Sequence, residues 1–105
     1  MSTFTIEVAG VKARHMTVTE DTLTVDFVDG RTISVPLIWY PRLVQGTPEE
    51  RNHWQLIGDG AGIHWPDLDE DISVENLVAG NPSGESHRSL KHWLEERAAR
   101  RTVGG

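Results

Sequence analysis

The amino-acid sequence predicts an α+β protein: a small antiparallel sheet of hairpins, two or three short helices and a C-terminal helix. Apolar residues alternate with polar ones over 4–8, 16–27 and 54–65, which is the pattern of half-buried strands. Glycine-containing turns separate these segments. Thr47 and Ser73 each stand just before a segment predicted to be a short helix, where their hydroxyl groups can cap the helix N-terminus.

The first strands are predicted to form a meander with one apolar face. Phe4, Ile6 and Val8 begin the pattern. Further along the chain, pairing Met16 with Val25 keeps the apolar side chains of both strands together. The same pairing sets Val18 opposite Leu23.

The turn at Asp29-Gly30 fixes the register of the next strand. A two-residue turn would put Ile33 and Val35 on the polar face of the sheet. A three-residue turn beginning at Val28 pairs Val25 with Ile33 instead. It also places the glycine where a type I turn with a G1 bulge needs positive φ. The sequence therefore predicts the bulged hairpin.

Two short helices are expected after this meander. A helical turn over 38–43 places Trp39 and Leu43 inward. The second helix begins at Thr47, with proline at the first helical position and glutamate three residues after the cap. We expect it to reach about Trp54.

A second hairpin follows, through a turn that contains three glycines. It is predicted to set Leu56 opposite Ile63 and Trp54 opposite Trp65, with these apolar side chains in the core. His64 then points to the opposite face. The proline after the second tryptophan ends the strand, because proline has no N–H to donate.

The remainder of the chain is predicted to be helical. Ser73 caps a short helix that Gly80 ends. A longer helix runs from about 86 to 100. We assign residues 1–84 to a single α+β domain and residues 85–105 to an accessory C-terminal helix and tail.

Composition excludes several classes of function. The 105 residues contain no cysteine, so disulfides, thiol nucleophiles and thiolate metal sites are impossible. The net charge is −6, and the acidic part of the chain, residues 1–84, repels phosphate. No apolar run approaches the roughly 20 residues of a membrane span, and the N-terminus lacks a signal sequence. We expect a soluble cytoplasmic protein that does not bind membranes.

Three motifs resemble a family of small bacterial proteins, the domain of unknown function 2442. They are Trp39-Tyr-Pro-Arg-Leu43, Thr47-Pro-Glu-Glu-Arg51 and Gly62-Ile-His-Trp-Pro-Asp-Leu-Asp-Glu-Asp-Ile-Ser-Val74. The resemblance covers about residues 14–80 and implies a compact α+β domain. It also implies a gene neighbourhood of the toxin–antitoxin kind, and it supplies no catalytic residues.

The third motif contains a candidate functional surface, whose members are His64, Asp67, Asp69 and Asp71. The three aspartates match the opening of a calcium loop, but Ile72 stands where that loop needs glycine. A looser divalent site remains an alternative. The structural interpretation is that Asp69 or Asp71 caps the following helix while His64 makes a hydrogen bond.

Catalysis has little support in the sequence. His64 beside acidic residues would suit acid–base chemistry, but no serine or threonine lies in a nucleophile-like turn. The glycines at 58–62 precede a strand rather than a helix, so they do not form a phosphate loop. We therefore assign no catalytic residue, no metal ligand and no cofactor.

The C-terminal helix is the predicted partner-binding element. It combines a narrow apolar stripe with basic residues, the pattern of an interface anchor within a polar rim. The residues concerned are Arg88, Leu90, Lys91, Trp93, Leu94 and Arg97. Two alternatives stay open: the stripe closes one end of the chain's own core, or it pairs two copies into a homodimer.

These observations predict a non-enzymatic protein-interaction module that binds a small protein partner in an antitoxin-like or regulatory role. The first alternative is a nucleic-acid-associated accessory protein that uses the basic C-terminal helix. The second is a small metal-dependent hydrolase.

Overall fold

The computed structural model describes the backbone of residues 11–104 and the side chains of residues 11–100. The predicted strand at 4–8 lies outside the described residues. Within them, two three-stranded antiparallel sheets and four helices follow one another along the chain. The predicted α+β class is confirmed, with two small sheets in place of one.

The first sheet is the predicted meander. It contains β1 (Ala13–Val18), β2 (Thr22–Phe27) and β3 (Thr32–Pro36) in the order β1-β2-β3. Met16 pairs with Val25, as the apolar alternation predicts. The register of β1 with β2 is therefore confirmed.

The bulged turn between β2 and β3 is also confirmed. Val25 pairs with Ile33, and Gly30 has a φ of 96°. The Gly30 N–H donates to the Phe27 carbonyl at 3.0 Å, and the Phe27 N–H donates to the Arg31 carbonyl at 2.8 Å. Only a three-residue loop keeps the apolar side chains of both strands on one face.

Two short helices connect the sheets. After a 3₁₀ turn at Leu37–Trp39 come α1 (Pro41–Val44) and α2 (Pro48–Asn52). The Thr47 hydroxyl accepts from the Glu50 N–H at 3.1 Å, and the Glu50 carboxylate accepts from the Thr47 N–H at 2.9 Å. The predicted capping box is thus present, although the helix ends two residues before Trp54.

The second sheet contains β4 (Gln55–Ile57), β5 (Gly62–Trp65) and β6 (Glu70–Ser73). Leu56 pairs with Ile63, as predicted. The ladder ends at Gln55 with His64, so the predicted pair of Trp54 with Trp65 is not part of it.

Trp54 is partly buried and packs against the core, and its ring lies edge-on to that of His15, with centroids 5.5 Å apart. The predicted core position of Leu56 needs correction, because this side chain is 37% exposed. The strand β6 was not predicted.

The chain ends in two helices. Ser73 caps α3 (Val74–Val78), its hydroxyl accepting from the Asn76 N–H at 3.3 Å, and Gly80 follows at a φ of 81°. The predicted C-terminal helix is α4 (His87–Gly104). No helix in the described part of the chain is long and apolar enough to cross a membrane.

The core lies between the two sheets and is closed by short helices. Its members come mainly from every strand except β4, from the 3₁₀ turn, from the turn between β5 and β6, and from α1, α3 and α4. The fully buried ones are Trp65, Phe27, Met16, Leu23, Leu37, Leu43, Ile63, Leu68, Leu77, Val25 and Val74.

Candidate functional site

The second sheet separates its residues into an inner and an outer face. Directly opposite residues share a face, and alternate residues along a strand point to opposite sides. Since Trp65 is fully buried and pairs with Glu70, Glu70 lies on the inner face. The outer face carries Gln55, Ile57, Gly62, His64, Asp71 and Ser73.

His64 and Asp71 form a pair on this outer face. They lie opposite each other on β5 and β6, and 2.5 Å separates His64 Nδ1 from Asp71 Oδ1. The structural hydrogen bond expected of His64 is therefore present. Its partner is the residue directly across the sheet.

Asp67 and Asp69 are engaged elsewhere. Asp67 Oδ2 lies 2.6 Å from His53 Nδ1. Asp69 adopts a φ of 52°, and its carboxylate lies 3.4 Å from an Arg42 nitrogen. The prediction that Asp69 or Asp71 caps α3 is wrong, because Ser73 itself is the cap.

The candidate functional surface is thus divided among three separate interactions. No group of three or more histidine, aspartate or glutamate side chains arranged to hold a metal ion occurs among the described residues. The four residues therefore do not form one centre.

Beside the His64–Asp71 pair, the outer face carries a shallow apolar depression of about 390 Å³. Ile57 lies across Gly62: a Cβ on that glycine would be 3.0 Å from Ile57 Cγ1. The isoleucine nevertheless remains 45% exposed. The lining residues are Ile57, Gly58, Ala61, Gly62, Asp71, Ile72 and Ser73.

Helix α4 packs on its own chain through Trp93, which is only 3% exposed. The Arg42 and Arg97 guanidinium carbons lie 4.9 and 5.0 Å from the centre of the Trp93 ring. Arg97 is also paired with Glu50 at 2.9 Å. The burial of Trp93 matches the alternative in which the helix closes one end of the core.

The six residues of the predicted partner-binding element therefore occupy different environments. Arg88 and Lys91 are exposed, and Leu90 and Leu94 are half-buried. Trp93 and Arg97 contact the rest of the chain. That these residues bind a partner stays a prediction.

A second pocket, which the sequence analysis missed, lies beside Tyr40 and Glu70. It has a volume of about 190 Å³. The Tyr40 hydroxyl and Glu70 Oε2 are both buried, and neither has a hydrogen-bond partner within the described residues. The lining residues are Tyr40, Glu70, Asp71, Ile72, Ser73, Asn76, Asn81, Pro82, Ser83 and Gly84.

Burial controls the ionisation of both groups. Desolvation raises the pKa of Glu70 to about 7, against partial opposition from the Asp71 N–H and Arg42. Desolvation, followed by the nearby Glu70 charge, raises the pKa of Tyr40 to about 12. Near neutral pH, Glu70 therefore gains or loses a proton while Tyr40 keeps its own.

Comparison with known families accounts for most of the chain. Residues 13–83 match the family described as "Protein of unknown function (DUF2442)". The chain belongs to the DUF2442 family. The matched residues include both sheets, the His64–Asp71 pair, Tyr40 and Glu70, whereas α4 lies beyond them.

A solved structure shares this DUF2442 fold. It is the crystal structure of a protein of unknown function from Rhodospirillum rubrum ATCC 11170, with 25% sequence identity and a TM-score of 0.62. The similarity covers 71% of this chain and 93% of the other. A comparison with curated proteins found no significant match.

Proposed function

We propose that this DUF2442 protein is a non-enzymatic protein-interaction module that binds a small protein partner through the outer face of its second sheet. The observation that carries the proposal is Ile57, 45% exposed beside the apolar depression. An exposed isoleucine on an edge strand beside an apolar hollow is suited to an apolar side chain from another protein.

The surroundings of the depression resemble the rim of an interface. Gln55 and His64 pair across β4 and β5, and His64 continues to Asp71 on β6. Polar residues around a small apolar centre give an interface its orientation, while the apolar centre supplies most of the affinity.

The edge strand itself offers a second means of attachment. Within the described residues, β4 pairs with β5 on one side only, since the sheet order is β4-β5-β6. Backbone N–H and C=O groups on the other side of the strand are the groups that we propose a partner strand bonds. An extended segment with an apolar residue over Ile57 fits this edge.

We propose an antitoxin-like or regulatory role for this module. An antitoxin-like or regulatory protein of this kind would work by holding its partner, in a reducing cytoplasm that suits a chain without cysteine. The basic C-terminal helix is less suited to nucleic acid, because Arg97 is paired with Glu50. Asp67 and Asp69 also line a separate pocket beside Arg97 and Arg100, and their carboxylates would repel phosphate.

The test compares two isoleucines. The partner is first captured from the native cell and purified, and its affinity is then measured by calorimetry for the full chain, Ile57→Ser and Ile38→Ser. Ile38 is the matched control, because it is 76% exposed on the 3₁₀ turn at Leu37–Trp39. We expect Ile57→Ser to weaken binding about tenfold or more, and Ile38→Ser to leave it unchanged.

Two results would refute the proposed face. Equal affinities of the two variants and the unchanged chain would place the interface elsewhere, with α4 the next surface to test. A large fall in the melting temperature of Ile57→Ser alone would show that Ile57 is packed inside its own chain. Concentration-dependent self-association that Ile57→Ser abolishes would identify the partner as a second copy.

A further inference from the structure

The Tyr40–Glu70 pocket is distinct from the apolar depression of the proposed protein interface, although Asp71, Ile72 and Ser73 line both. Glu70 projects from the inner face of the second sheet, and its Oε1 accepts from the Asp71 N–H at 3.0 Å. Its Oε2 and the Tyr40 hydroxyl are the two buried side-chain polar atoms left without a partner in the part of the chain that the structure describes. Both border the same 190 Å³ pocket.

Buried polar atoms are rarely left without partners in native proteins, because an unmet hydrogen bond is costly. Two such atoms on residues that line one pocket are an arrangement that a ligand can complete. We infer that the Tyr40–Glu70 pocket binds a small organic cation that carries a primary ammonium group.

The charges around the pocket select a cation. Glu70 and Asp71 are the charged residues of its lining. The Asp71 carboxylate is bonded to His64 on the outer face, but its negative charge still acts on Glu70. Arg42, whose charge also acts on Glu70, is engaged by Glu85 at 2.6 Å and by the Asp69 carbonyl at 2.8 Å. An anion would meet the Glu70 carboxylate and no basic residue in the described lining.

The unpaired oxygens of Glu70 and Tyr40 favour a ligand that donates hydrogen bonds. An ammonium group offers three N–H donors and no acceptor. Glu70 Oε2 accepts one of them, and the Tyr40 hydroxyl oxygen accepts another. Ser73, Ser83, Asn76 and Asn81 also line the pocket, and the side-chain oxygens of the first three already accept hydrogen bonds within the chain. A quaternary ammonium has the same charge but cannot make these bonds.

The volume sets the size of the ligand. A pocket of about 190 Å³ corresponds to the share of about six water molecules in the liquid. A short alkylamine fits within this space, whereas a nucleotide or a peptide would extend beyond it. The ligand class is therefore a small primary amine.

The pocket is pre-formed by backbone contacts. The Ser83 N–H donates to the Trp39 carbonyl at 3.0 Å, and the Asn81 N–H donates to the Asn76 carbonyl at 2.9 Å. These bonds hold the 81–84 segment over Tyr40. Binding then requires little reorganisation of the chain, which preserves affinity.

The probe for the test is ethylammonium chloride, titrated into the full chain and followed by the NMR amide shifts of residues 70–73 and 81–84. The titration is made at about pH 8, where most of Glu70 is ionised. Tetramethylammonium chloride and sodium chloride at the same ionic strength are the reference salts. We expect saturable shifts with ethylammonium and none with either reference salt.

Three substitutions assign the binding. Glu70→Gln keeps the shape of the side chain but removes its charge, and we expect it to weaken binding about tenfold or more. Tyr40→Phe removes one oxygen and is expected to weaken binding about threefold to tenfold. Glu95→Gln is the charge-matched control on the exposed side of α4 and should leave binding unchanged.

A pH series provides an independent readout. Protonation of Glu70 removes the charge that the ammonium pairs with, so the affinity should fall between about pH 8 and pH 6. Arg42, Asp71, Glu85 and the Tyr40 hydroxyl also face this carboxyl. The fall should therefore be absent in Glu70→Gln, which keeps all four.

The inference is overturned if ethylammonium gives no saturable shift, or if tetramethylammonium gives the same shift. It is also overturned if Glu70→Gln binds as tightly as the unchanged chain. If Glu70→Gln does not fold, Tyr40→Phe decides, and unchanged binding by that variant refutes the site. The partner assay with Ile57→Ser is unaffected by any of these results.

Discussion

The Arg42 guanidinium and the Glu85 carboxylate form a two-pronged ion pair between α1 and the residues that lead into α4. Arg42 Nη2 lies 2.6 Å from one Glu85 oxygen, and Arg42 Nε lies 2.8 Å from the other. The two side chains are only 16% and 8% exposed. The same guanidinium covers the Trp93 ring. Arg42 therefore contacts α4 through Trp93 and the segment that leads into α4 through Glu85.

Glu85→Gln should therefore lower the free energy of unfolding. It leaves Arg42 largely buried without its main charge partner, which we expect to cost about 2 to 3 kcal/mol. Urea unfolding of the variant measures the loss. Glu95→Gln is the control, because its side chain is exposed on α4. Equal stability of both variants would contradict a stabilising role for the pair.

The ion pair also predicts a pH dependence. The hydrogen bond from Arg42 holds the pKa of Glu85 below its ordinary value of 4.5. A depressed folded-state pKa contributes stability that is complete above the unfolded value and lost as pH falls through the folded one. The difference between the unchanged chain and Glu85→Gln should accordingly shrink on acidification below pH 4.5. A constant difference would assign the effect to packing.

Gly60 and Gly30 form a matched pair for a second prediction. Their φ angles are 98° and 96°, so alanine is strained equally at both. A Cβ on Gly60 would lie 2.4 Å from the Ala13 carbonyl oxygen, whereas one on Gly30 meets nothing within 4 Å. Gly30→Ala should cost about 1 kcal/mol, and Gly60→Ala about 2 kcal/mol or more beyond that.

Thermal or urea unfolding of the two glycine variants measures both costs. The difference between them isolates the close approach of β1 to the turn before β5. Equal losses would mean that β1 moves away without penalty, and that the contact does not hold the two sheets together.

Much of the fold could be predicted because local rules determine it. Apolar alternation fixes the pairing of Met16 with Val25, since a shift by one residue would expose the whole strand. The capping box at Thr47 and the cap at Ser73 depend on residues within a few positions of each other. These elements therefore needed no information about distant contacts.

The site was less predictable because it depends on β6. The segment 69–73 is dominated by acidic residues, which are depleted in strands, and its pairing with β5 comes from tertiary context. Without β6, nothing in the sequence places Glu70 opposite Trp65 and beneath Tyr40. For the same reason, Asp71 could not be recognised from the sequence as the partner of His64. The same limitation applies to Arg42, whose partners lie 27 and 43 residues away.

Trp65 is expected to be the most sensitive core position. It is fully buried, and its indole N–H donates to the Arg51 carbonyl at 2.9 Å. Trp65→Ala should cost about 3 to 5 kcal/mol, and the variant is expected to be unfolded or only marginally stable. Trp65→Phe keeps most of the volume and should cost less. Circular dichroism melts distinguish the two. A Trp65→Ala variant with unchanged stability would mean that this tryptophan is not part of the core.

Glu70 should make stability depend on pH in the opposite direction to Glu85. Burial raises its pKa from 4.5 to about 7, so in this interval the folded chain binds more protons than the unfolded chain. Stability therefore falls as pH rises from 4.5 and levels off above about 7, where the buried charge has its full cost.

Glu70→Gln removes that charge, so it should be more stable than the unchanged chain above about pH 7, by up to about 3 kcal/mol. Below pH 4.5 the two should converge, because Glu70 is then neutral in both folded and unfolded states. Glu75→Gln, on the exposed side of α3, is the control and should show no such divergence.

Urea unfolding across this pH range measures the stability difference between Glu70→Gln and the unchanged chain. A constant gap at every pH would show that the carboxyl is not titrating. If ethylammonium at high pH removes the stability difference between the two chains, the bound cation offsets the unfavourable burial of the Glu70 charge.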